Sequence, residues 1–189
     1  MKPALVRIFV VTVAAALAQP AAAQSAAPTS KRKPAAAAPR VSHFSFKVPD
    51  GWTDKSTADT RDFYTLAFDE ANSLSFQAKV SPGGDRVTPE FLDKYASDAQ
   101  RSVAQRLKGA ELKVLEKKLV NIGGLTGARF VFEVPAPPDA EVAQEVRQVQ
   151  YYVPAADQHA VLTFSAPRSA FDKFAPLFDK TAQATLIKR

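Results

Sequence analysis

The residues best suited to acid–base or metal chemistry at neutral pH are the two histidines, His43 and His159. Neither has a second His, Asp or Glu at the spacing a metal site needs, so both read as ordinary surface or edge residues. There is no cysteine, which removes disulfides, thiolate catalysis and thiolate metal ligands. No G-x-S-x-G presents a nucleophilic serine on a tight turn. The glycine clusters Pro82-Gly83-Gly84-Asp85 and Gly123-Gly124-Leu125-Thr126-Gly127 read as turns. The second lacks the Lys-Ser/Thr pair of a phosphate loop and precedes a strand. Carboxylate pairs can come from distant parts of a chain, so a hydrolase built on scattered acids stays open as a third reading. Thirteen Phe, four Tyr and Trp52 form a heavy aromatic load, and Tyr151-Tyr152 must point to opposite faces of a strand.

The chain has 189 residues and a formal charge of +6. The basic residues Lys2, Arg7, Lys31, Arg32, Lys33 and Arg40 precede residue 41 without a single acid. Beyond that point the remaining Lys and Arg only match the 19 acids. The region able to fold is therefore neutral, and a nucleic-acid partner is not expected.

That charge separation also defines the domains. Residues 1–23 read as a signal peptide. Lys2 and Arg7 precede the apolar run Ile8–Ala18, and Ala21-Ala22-Ala23 supplies a small-residue cleavage site. The run covers about half of the ~20 residues a spanning helix needs, so no stable membrane insertion is expected after cleavage. Residues 24–40 form an Ala/Pro/Lys-rich tether with no large apolar side chain, too polar to offset its own ordering. Residues 41–189 form one domain.

Within it, Phe44, Phe46 and Val48 alternate with polar residues as a strand, ended by Pro49-Asp50-Gly51 before Trp52. A second strand covers Phe63 to Phe68, with Tyr64, Leu66 and Phe68 on one face. Leu74, Phe76, Ala78 and Val80 form a third. Thr88-Pro89 opens a helix whose stripe is Leu92, Tyr95, Ala96, Ala99, Val103 and Leu107, stopped at Gly109. Strands follow around Leu112–Val114, over Ala128–Val134 with Arg129 and Glu133 on the reverse face, and as a hairpin of Val146–Val153 and Ala160–Phe164 across Pro154–Gln158. Ser169 with Asp172 resembles a capping box for a last helix burying Phe171, Phe174, Phe178 and Ala182, with Pro176 expected to kink it or mark its first turn. The order β-β-β-α-β-β-β-β-α predicts an α+β domain, a twisted antiparallel sheet flanked by helices.

The stretch Phe44-Ser-Phe-Lys-Val-Pro-Asp-Gly-Trp52 resembles the opening of PsbP-like domains, a group that includes the bacterial DcrB-like envelope proteins. The Thr88-Pro89 helix, the strand run and Phe171-Asp-Lys-Phe-Ala-Pro-Leu-Phe178 follow in the same order, so the resemblance covers roughly 42–186. It implies an α-β-α sandwich and a non-enzymatic accessory role on a larger assembly. DcrB-like proteins usually carry a lipid anchor; this chain lacks the cysteine for one.

Together these features lead to the expectation of a soluble periplasmic accessory protein that is not an enzyme. Its partners would be envelope proteins that meet exposed sheet edges or a loop such as Pro135–Glu145. No catalytic residue, metal ligand or cofactor is assigned. The alternative reading is a binder of a small apolar or lipid-like ligand held between sheet and helices.

Overall fold

The computed structural model describes residues 42–56, 64–107, 109–136 and 145–187. The proposed leader, the tether and most of the Pro135–Glu145 loop lie outside the described residues. In chain order the elements are β1 (Phe44–Ser45), β2 (Thr53–Asp54), β3 (Tyr64–Asp69), β4 (Leu74–Pro82), α1 (Pro89–Arg106), β5 (Lys113–Ile122), β6 (Leu125–Val134), β7 (Val146–Ala155), β8 (Gln158–Pro167), α2 (Arg168–Gln183) and β9 (Leu186–Ile187). The fold class expected from sequence is the one observed. Seven strands form an antiparallel sheet in the order β2-β3-β4-β8-β7-β6-β5, and β1 pairs with β9 in a small second sheet.

The period-two patterns of β4, β6, β7 and β8 give this sheet two buried faces. On one face Phe76, Phe164, Val149 and Tyr151 pack with Phe171, Phe178 and Ala182 of α2. The Phe164 ring stacks between Phe76 (4.5 Å between centroids) and Phe178 (5.1 Å). On the other face Phe130, Phe132 and Tyr152 pack with Phe91, Tyr95, Ala99 and Val103 of α1. Each fully buried ring stabilises the domain by about 2–3 kcal/mol, so these two layers, and not disulfides, hold the fold.

Local signals explain most element ends. Thr88 caps α1, its hydroxyl accepting from the Phe91 N–H at 3.2 Å, with Pro89 in the first turn. Gly123 and Gly124, both at positive φ, join β5 to β6 in a two-residue turn. The hairpin of β7 and β8 is tighter than its sequence suggests. Pro154 pairs with His159 inside the ladder, and only Ala156-Asp157 turn. In β3 it is Ala67, opposite Phe76, that enters the α2-side core, while Leu66 and Phe68 lie half-buried on the reverse face.

The start of α2 differs from expectation. β8 runs to Pro167 and the helix begins at once with Arg168, so Ser169 is inside it and no side chain caps it. The Arg168 N–H is instead taken by the Glu145 carbonyl at 2.9 Å. Pro176 sits in the body of α2 and does not mark its first turn. The N-terminal alternation holds as burial, with Phe44 buried and Phe46, Val48 and Trp52 packed against the α2-side core. Only Phe44 and Ser45 pair as strand, with Ile187 and Leu186.

Candidate interaction edge

The two ends of the seven-stranded sheet are unlike. One closes on β2, two residues long; the other is β5, ten residues, with no further strand beside it among the described residues. Ten residues extend roughly 33 Å. β5 also carries the exposed large apolar side chains of the described residues, Leu115 (47% exposed) and Leu119 (44%).

The turn fixes which groups of β5 face outward. In a two-residue hairpin the residues flanking the turn, Ile122 and Leu125, exchange both backbone hydrogen bonds, and bonded and non-bonded pairs then alternate down the ladder. Lys117, Leu119 and Asn121 are therefore non-bonded towards β6 and point their N–H and C=O groups away from the sheet. A contact of α2 agrees: the Gln183 side chain donates to the Asn121 carbonyl at 3.0 Å. Lys117 and Leu119 lie on the α1 side and Glu116 and Lys118 on the α2 side. A register shift between Val114 and Glu116 places Leu115 in a bulge, which ends the regular edge there.

Charge surrounds this edge. The Lys117 ammonium donates to Asp93 of α1, and Lys118 lies 3.1 Å from Glu116. Glu116 also accepts from Arg129, only 9% exposed, which reaches Asp179 of α2 at 3.1 Å. Tyr151 donates to Asp179 and accepts from Arg129 Nε at 3.4 Å. Burial, reinforced by Asp179, raises the Tyr151 pKa above the ordinary tyrosine value. Burial works against the Arg129 charge, but Tyr151, Asp179 and Glu116 outweigh it and lift its pKa above the usual arginine value. Nearby, Glu133 (8% exposed) accepts from Lys113 at 3.2 Å and lies within 3.4 Å of Arg168 and 3.7 Å of Arg147. The Lys113 hydrogen bond and these cations hold its pKa below the ordinary carboxylate range, against the opposing effect of burial. These networks fasten α2 to β5, β6 and β7. Glu116 and Asp179, two acids brought together, share the Arg129 guanidinium between them.

The histidines meet at the β7–β8 turn, which sequence spacing could not show. His43 Nε2 lies 3.1 Å from Asp157, and His159 donates from Nδ1 to the Gly83 carbonyl at 2.8 Å while stacking on Tyr152. Each ties one segment to the turn. Among the described residues no group of three or more His, Cys, Asp or Glu is placed to hold a metal. Tyr151 and Tyr152 occupy opposite faces as expected, but both are buried and line no groove: Tyr151 meets Phe164, and Tyr152 meets Phe91 and accepts from the Asp85 N–H at 2.8 Å.

Sequence reasoning missed a polar patch under the α1 face. Ser75, Ser165 and Gln148 form one cross-strand row, Gln77, Thr163 and Gln150 the next, and all six are buried. Tyr95 donates to Gln150 at 3.0 Å, and Ser165 Oγ has no hydrogen-bond partner. Alternation alone does not separate a buried polar face from an exposed one.

No protein-family model matches the chain, and no curated protein matches it in sequence. Among solved structures, the cyanobacterial PsbP (CyanoP) of Synechocystis aligns with a TM-score of 0.58 at 12% identity, covering 77% of this chain and 86% of that one. The Ran-binding protein Mog1p of Saccharomyces cerevisiae aligns with a TM-score of 0.50 at 11% identity, covering 77% and 90%. LpqN of Mycobacterium tuberculosis, described as involved in cell envelope biogenesis, aligns more loosely, with a TM-score of 0.46 at 15% identity over 77% and 83%. The fold is PsbP-like. Among the described residues no helix is long and apolar enough to cross a membrane.

Proposed function

We propose that this chain is a non-enzymatic accessory protein of the periplasm that serves an envelope assembly by binding another protein through the β5 edge. The observation that carries the reading is the contrast between the two sheet edges. Edge strands that template unwanted pairing are normally short, bulged or covered, and β2 is short. β5 is bulged at Leu115 and gives its Asn121 carbonyl to Gln183, but between those points Lys117 and Leu119 keep a regular outward-facing stretch beside the exposed Leu119 side chain. The signal-peptide order of residues 1–23 and the PsbP-like fold support the compartment and the accessory role.

The test expresses the full chain with a C-terminal tag in a bacterial host and recovers it from gently opened envelopes. The reading expects a mature N-terminus near Gln24 and a stoichiometric protein partner that Leu119→Asp releases. A retained Met1, or a monomer free of partners at native mass, contradicts it.

A further inference from the structure

Resting on that reading, we infer that the β5 edge takes an extended acidic segment of another protein, added as an eighth strand, with a carboxylate across from Lys118 and an apolar side chain across from Leu119. Two candidate occupants differ in chemistry: a second copy of this chain and a foreign strand. The outward backbone groups of Lys117, Leu119 and Asn121 decide between them.

Two β5 edges can pair antiparallel only if these outward groups face each other. The register centred on Lys117 sets that lysine against its own copy. The register pairing Lys117 with Leu119 sets Lys118 against Lys118 at a non-bonded position, where side chains approach most closely. The register centred on Leu119 needs the Asn121 carbonyl, which Gln183 already occupies. Like charges directly opposed are destabilising, so every central self-pairing register is obstructed.

A foreign strand that pairs with the outward groups of Lys117 and Leu119 avoids the like-charge contacts and has no need of the Asn121 carbonyl. β5 holds three lysines, Lys113, Lys117 and Lys118, and one acid, Glu116. Glu116 is committed to Arg129 as well as to Lys118. A partner carboxylate opposite Lys118 supplies the charge that Lys118 otherwise shares with the guanidinium. Leu119 lies on the α1 side of the ladder and remains 44% exposed, so the partner residue opposite it completes an apolar pair. The Lys117 and Leu119 N–H and C=O groups form the main-chain bonds, as in other cases of strand addition. The bulge at Leu115 limits the regular ladder to the stretch from Glu116 onward, so the recognised segment is short.

The experiment places a photo-crosslinking amino acid at Leu119 of the full exported chain, with Thr53 on the opposite edge as control, and sequences the cross-linked peptide. The inference expects cross-links from 119 and not from 53, to an extended segment rich in Asp or Glu alternating with apolar residues. Lys118→Glu in the same chain is expected to cut the yield about tenfold, and Lys118→Arg to preserve it. A cross-link from 119 to a second copy, or to a segment without acids, overturns this inference and leaves edge docking standing. A partner that co-purifies but never cross-links from 119 overturns edge docking itself.

Discussion

The Arg129 network allows a sharp test, because its energetic cost should depend on which side of the ion pair is removed. Arg129 is buried, whereas the side chains of Glu116 and Asp179 keep 38% and 50% of their exposure. Removing one partner of a fully buried pair costs about 3–5 kcal/mol, while an exposed pair contributes about 0–1 kcal/mol. In Arg129→Met the thioether fills the space of the arginine stem, and both carboxylates rehydrate where they stand. The expected loss is therefore about 1–2 kcal/mol. In the double variant Glu116→Gln, Asp179→Asn the guanidinium stays buried with no carboxylate, and the expected loss is about 3 kcal/mol. Trp52, the single tryptophan, packs against the α2-side core, so its fluorescence reports urea unfolding. The acid-side variant should therefore be the less stable protein. If Arg129→Met costs as much as the double variant or more, the carboxylates are in effect buried and the network is wrongly apportioned.

Three further outcomes follow from the geometry. A Cβ on Gly127 would lie 2.6 Å from the Tyr152 carbonyl oxygen, backbone that cannot swing aside, so Gly127→Ala should cost about 2–3 kcal/mol; an unchanged thermal midpoint by circular dichroism contradicts this. The Glu133 pKa is depressed below its ordinary 4.5, so its stabilisation is complete above that value and disappears as pH falls through the lower folded value. The midpoint gap between the parent and Glu133→Gln should be steady above about pH 5 and shrink on further acidification, and a gap that widens instead contradicts the sign. Ser165 Oγ is buried without a partner in a residue only 5% exposed, so Ser165→Ala should be neutral or stabilising by up to about 1 kcal/mol in urea unfolding; a clear loss would show the hydroxyl bonded after all.

Much of the fold was legible because alternation and capping are local. Phe76, Phe130 and Phe164 reveal their faces by period two, and Thr88-Pro89 announces α1 without tertiary information. Signals set by tertiary contact failed. Ser169 looks like a helix cap, but β8 continues to Pro167 and the Glu145 carbonyl takes the first N–H, leaving nothing for a cap to do. The sequence sets Tyr64, Leu66 and Phe68 on one face of β3, yet it is Ala67 of the other face that lies opposite Phe76, where a larger side chain would compete for ring space. The candidate edge was legible only as a kind of place. The sequence marks a strand only around Leu112–Val114, because the adjacent apolar pairs Val114-Leu115 and Leu119-Val120 break the alternation; the full length of β5 and its position at the rim follow from pairing, which no local pattern encodes. The union of His43 with Asp157 and of Arg129 with Asp179 is likewise long-range.

Lysines on an edge strand have a second explanation, protection against pairing, and the two explanations separate in their treatment of the leucines. If Lys117 and Lys118 served only to repel copies, an exposed Leu119 beside them would be a liability without purpose. Replacing Leu115 and Leu119 by Thr would then improve solubility and change nothing else. If the lysines both exclude copies and receive a partner's carboxylates, the leucines supply apolar contact. Burying the remaining half of a leucine is worth about 1 kcal/mol, so Leu119→Thr should weaken partner binding about fivefold while leaving unfolding in urea nearly unchanged. Isothermal titration against the recovered partner segment reads the first quantity and Trp52 fluorescence the second. Equal affinity for the parent and Leu119→Thr would reduce the edge to a protected rim. A loss confined to binding would establish that the same residues that keep copies of this protein apart select what docks in their place.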